Sequence, residues 1–118
     1  MGNMLLYKES ETLVHAYDAL YRLGATANYM GFFYTAYAIW LCAKEPDRLQ
    51  LVTKWLYPDV AEHYKTNWKA VERNIRSLIS LIWDNNPETL CEYAGFRLTQ
   101  KPRPAQFLAF MARGVLFK

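Results

Sequence analysis

A chain of 118 residues has the length of one domain, and its 53% hydrophobic content suffices for a single packed core, which excludes a disordered polymer. Two cysteines are too few for a disulfide framework, and Cys42, Cys91, His15 and His63 lie too far apart for zinc-ligand spacing. The net charge of +3 hides an asymmetry: residues 1–47 carry three Lys or Arg against five Asp or Glu, residues 48–118 eleven against six, so the anion-seeking half is the C-terminal one.

Apolar spacing and chain breakers predict helices over 9–23, 27–44, 47–55, 58–65, 67–83, 87–94 and 104–116, an all-α domain spanning 1–118. At the N-terminus, Leu6 stands where a myristoylation signal at Gly2 needs Ser or Thr, so no lipid is expected. His15 and Asp18 share the first helix and are read as a solvated surface pair rather than a catalytic one. Gly24 serves as a left-handed stop between the first two helices, and Pro46 ends the second.

Residues Gly24 to Ala43 include no charged side chain, close to the roughly 20 apolar residues a bilayer requires. Thr26, Asn28, Gly31 and several hydroxyls dilute the stretch, and no second span accompanies it. It is therefore expected to be a central bundle helix, buried on most sides, and no membrane contact is expected.

Pro58 suits the first turn of a short helix over 58–65, and Lys65-Thr66-Asn67 forms a polar connection to the next. Thr66 or Asn67 can cap the longer helix by accepting backbone N–H bonds. On that helix Lys69, Arg73, Arg76 and Ser80 fall within about 60° of arc, opposite an apolar stripe of Val71, Ile75, Leu78, Ile79 and Ile82 about 100° wide. The stripe faces a core; the basic face is either a solvated surface or a recognition surface. Two helices joined by a short turn, the second basic on its outer side, make a helix-turn-helix over about 58–83. No glycine marks the turn.

Beyond Asn85-Asn86-Pro87, which breaks the chain, Pro102 and Pro104 make the segment from Gly95 a loop carrying Arg97, Lys101 and Arg103. These three either flank the recognition helix on a phosphate backbone or are ordinary solvated loop residues. Phosphate-binding, dinucleotide and nucleophile-elbow motifs are missing, so a non-enzyme without cofactor is expected. Both cysteines are read as buried structural thiols in a reducing cytoplasm.

Leu56-Tyr57-Pro58, Ala61, Tyr64, Thr66, Val71-Glu72-Arg73, Ile75-Arg76 and Trp83 stand in the order and spacing of a known family. Leu23-Gly24, Ala27, Gly31 and Tyr34 upstream, and Gly95-Phe96, Lys101-Pro102 and Phe107-Leu108-Ala109 downstream, extend the match over about residues 12–115. Across this span the chain resembles the DNA-binding effector domain of the sporulation initiation response regulator, the stage zero sporulation protein A family. The resemblance implies a compact bundle of about six helices, double-stranded DNA as partner, paired sites, a role in transcription regulation, and DNA contacts at Glu72, Arg73 and Arg76.

If the helix enters a major groove, Arg73 suits guanine O6 and N7, while Glu72 suits a cytosine amino group or a salt bridge to Arg76; Lys69 joins them as a base contact. Lys65, Asn67, Arg76 and Ser77, with Arg97, Lys101 and Arg103, are expected on phosphates.

The departures from the family are as informative. Ala70 replaces an Arg, Glu62-His63 replaces a basic pair, and Ser77 replaces a His, which predicts weakened or retuned binding. No segment is long or acidic enough for the family's receiver domain, so regulation without an internal phosphorylation switch is expected. Met30, Phe33 and Tyr37, at i, i+3 and i+7, stand where the family is polar, which predicts an exposed stripe for a homodimer or protein partner. Two readings stay open: a sequence-specific DNA-binding regulator, and an interaction module or antagonist with weakened DNA affinity.

Overall fold

A computed structural model describes the backbone of residues 2–116 and the side chains of residues 11–116; the lipid-signal reading at Gly2 and Leu6 lies outside the described side chains. The elements are α1 (Gly2–Arg22), α2 (Met30–Lys44), a 3-10 turn at Pro46–Gln50, the single turn α3 (Val52–Trp55), α4 (Tyr57–His63), α5 (Trp68–Asn85), α6 (Pro87–Ala94) and α7 (Pro104–Leu116). The all-α expectation holds, as a compact bundle.

Helix α2 is the central element. It packs against α1, α5 and α7, and burial extends around its circumference from Phe32 and Tyr34 to Ile39, Leu41 and Cys42. The uncharged stretch is thus a core helix, and among the described residues no helix is long and apolar enough to cross a membrane.

Close packing of α2 on α5 depends on Gly31, where a Cβ would lie 2.5 Å from the backbone oxygen of Asn74. Gly24 has φ +92°, the left-handed geometry expected of it, and turns the chain from α1 toward α2. Beside it, Asn86 Nδ2 donates to the Leu23 carbonyl at 2.9 Å and fixes the end of α5 against that corner.

Besides shifts of one or two residues at the ends of α1, α4 and α5, three boundaries differ from those read in the sequence. Helix α1 extends N-terminally to Gly2 rather than starting near residue 9. Helix α2 begins at Met30, not residue 27: the Thr26 hydroxyl donates to the Asn28 side-chain oxygen and the Tyr29 N–H donates to the Thr26 carbonyl, so a local turn closed by one side-chain and one backbone bond replaces the first helical turn. The helix expected over 47–55 is divided at Leu51, whose backbone is extended at φ −155°. Arg48 holds the resulting bend, its guanidinium donating to the Trp55 carbonyl at 2.6 Å and to the carboxylates of Asp59 and Glu45 at 2.5 and 3.2 Å.

Candidate nucleic-acid interface

The connection between α4 and α5 is built without glycine. After α4 the chain reverses through Lys65 at φ +56°, with the Lys65 N–H donating to the Glu62 carbonyl at 3.3 Å and the Thr66 N–H to the Ala61 carbonyl at 2.9 Å. This pair of bonds is the Schellman arrangement, which satisfies two carbonyls at the helix end and requires a left-handed residue between them. A lysine there costs about 1 kcal/mol relative to glycine. Nothing in the residue type announces this conformation.

The turn is fixed to α2 through Tyr64. Its hydroxyl donates to the Phe33 carbonyl at 3.3 Å, and its ring packs against Tyr34, Tyr37 and His63. Burial, reinforced by Tyr17, Tyr37 and Tyr34, pushes its phenol up to about 12, so the donor stays protonated. Asn67, not Thr66, is the N-cap of α5, its Oδ1 accepting the Ala70 N–H at 2.9 Å. That oxygen is committed to the helix; only the amide nitrogen of Asn67 remains for a phosphate.

Helix α5 buries Val71, Ile75, Leu78, Ile79 and Ile82, the five residues of the expected stripe. Each gains about 1.5–3 kcal/mol by leaving water, which fixes the rotation of the helix. Lys69, Arg73, Arg76 and Ser77 are consequently exposed together, with Ser80 half-buried at the far end of a face roughly 16 Å long. Trp68, Lys69, Glu72, Arg73, Arg76, Ser77 and Ser80 line one shallow depression along it.

Glu72 Oε1 accepts from Arg76 Nε at 3.2 Å, the i,i+4 pair foreseen as one of its two roles. Arg73 is exposed and has no counter-ion among the described residues. Lys101 crosses to the same face, its Nζ donating to Ser80 Oγ at 2.9 Å.

Arg97 lines a different depression with Trp83, Glu88, Cys91 and Glu92, and Arg103 is exposed just before α7. Lys65 is exposed at the turn.

The stripe on α2 is discontinuous. Met30 is 66% exposed and Phe33 39%, but Tyr37 is half-buried, stacked on His63 with ring centroids 4.1 Å apart. Helix α4 covers that end of the stripe, and Ala36 is buried outright. Periodicity within α2 cannot foresee this cover because it comes from a separate helix.

Cys42 is buried, its thiol pushed up to about 12 by that burial, and Cys91 is half-buried with its Sγ accepting the Leu98 N–H at 3.3 Å. Among the described residues no group of three His, Cys, Asp or Glu could hold a metal ion.

Trp68 is the residue that sequence reasoning missed. At about 100° per residue it falls in the arc of Ile75 and Ile79, which assigns it to the core. As the first residue of α5 it is instead 39% exposed, with Lys69 Nζ 5.8 Å from its ring centroid.

The family described as Sporulation initiation factor Spo0A C terminal matches residues 16–115.

Proposed function

Because the chain belongs to the Spo0A C-terminal family, a family of DNA-binding effector domains, we propose that it is a sequence-specific double-stranded DNA binder that regulates transcription, with α5 seated in the major groove. The observation that carries this reading is the row of Lys69, Arg73 and Arg76 on a helix whose opposite face is locked into the core.

Arg73, which has no counter-ion among the described residues, is the base reader, donating two N–H groups to guanine O6 and N7. Lys69 reads a neighbouring base. Glu72 is engaged by Arg76, so its contribution is to hold that guanidinium toward a phosphate; reading a cytosine would require breaking the pair. Lys65, Ser77, Lys101 and the Asn67 amide complete the backbone contacts near the helix. Arg97 and Arg103 reach phosphates only farther along the duplex.

A salt-titrated gel shift with selected and random duplexes tests the proposal. Arg73→Ala should remove the preference for the selected site, a loss of about 1–3 kcal/mol, while leaving salt-sensitive binding to random DNA. Equal binding by wild type and Arg73→Ala to both duplexes would end it.

A second reading rests on Met30 and Phe33, exposed on the same helix turn as the exposed Tyr29 that precedes it. This apolar surface suits a second copy of the chain, and it adjoins the DNA face because Ser77 borders both the depression beneath Met30 and that along α5. Copies joined there would occupy neighbouring sites on one duplex. Met30→Glu should then lower the mass measured by light scattering without unfolding the chain; a monomeric wild type rejects this reading.

A further inference from the structure

We infer that Trp68 is a DNA-contacting residue of this protein, packing its indole against the apolar wall of the groove that α5 enters. The inference rests on the proposed DNA binding and adds to it a contact that no charge pattern supplies. In helix-turn-helix docking, the N-terminal residues of the second helix lie nearest the base edges. Trp68 is the first residue of α5 and borders the depression formed by Lys69, Arg73 and Arg76.

The part of the Trp68 indole that stays open to water at that place can add affinity, since burying aromatic surface is favourable and does not depend on releasing counterions. Asn67 fixes its backbone through the N-cap, and the ammonium of Lys69 lies near the ring, so the aromatic surface is held among cations rather than swinging free. Closing on a duplex would bring the indole against C–H surface, supplied either by thymine C5-methyl groups or by deoxyribose. The indole N–H adds one donor for a phosphate oxygen.

The test uses the full chain and a duplex recovered from a random pool by binding selection on the wild-type protein. Trp68→Ala should bind about tenfold more weakly with an unchanged salt slope, in contrast to a lysine or arginine loss, which reduces the slope. Trp68→Phe should retain most of the affinity.

The Trp68 emission, obtained as the difference between wild type and Trp68→Phe, should become shielded from acrylamide when the duplex is added. Replacing thymine by deoxyuridine in the duplex identifies the contact: equal weakening of wild type to the level of Trp68→Ala assigns it to methyl groups, and unchanged wild-type affinity assigns it to deoxyribose.

If Trp68→Ala is folded and binds as wild type while Arg73→Ala is weakened, the Trp68 contact is wrong and the regulator reading survives. If wild type fails to bind duplex, both fall together. Should Trp68→Ala not fold, the quenching measurement decides: an indole equally accessible with and without duplex overturns the inference.

Discussion

The ammonium of Lys101 donates to the hydroxyl of Ser80 across 2.9 Å, joining the proline-bounded loop before α7 to the exposed face of α5. Two segments separated by twenty-one positions thereby present one cationic surface. Lys101→Met should weaken binding to all duplexes alike and reduce the slope of log affinity against log salt by about 0.9, as a lost phosphate partner does. A change in site preference instead would mean that Lys101 reads bases.

Lys65 combines a strained backbone with an exposed charge. Lys65→Gly should stabilise the fold by about 1 kcal/mol, measured by urea unfolding, because glycine adopts positive φ without steric cost. The same variant should lose about 0.9 from the salt slope of DNA binding. Stability and affinity would thus move in opposite directions at one residue.

Gly31→Ala should destabilise the domain by about 1–3 kcal/mol, since its Cβ would sit 2.5 Å from the Asn74 oxygen and force α2 away from α5. A lowered urea midpoint is the expected readout, and an unchanged midpoint would show that the helices have room to separate.

Alkaline conditions should destabilise the protein. Tyr57 and Tyr64 are each raised from 10.0 to about 12, chiefly by burial, and Cys42 from 9.0 to about 12 for the same reason. A group whose folded value is raised gives its full stabilisation below its unfolded value and loses it as pH rises through the folded one. Stability should therefore fall between about pH 9 and pH 12, and Tyr64→Phe should make the fall shallower. Circular dichroism melts across this range measure both.

The parts of the fold that periodicity encodes were legible. The stripe Val71, Ile75, Leu78, Ile79, Ile82 is buried residue for residue, and the uncharged run around Phe32 and Ile39 is the central helix. What was illegible depended on contacts between segments or on helix ends. Tyr37 reads as exposed until His63 is laid over it by α4. Trp68 reads as core because a helical wheel takes no account of where the bundle stops. Lys65 carries no mark of its left-handed geometry, and the choice of Asn67 over Thr66 as cap needed the path of the chain. The clustering of Lys101 with α5, and the departure of Arg97 from it, likewise follow from how the loop is laid down rather than from the spacing of its cations.

At Gly31 the backbone of α2 comes directly against the Asn74 carbonyl of α5. Such a contact limits rolling of α5 on its support, so under the proposed DNA binding its angle of presentation is set before any duplex arrives. Little ordering entropy is then lost at this helix on association, and adjustment of fit falls to the more pliable polymer. Sites whose base steps bend cheaply should be favoured even at positions no side chain reaches.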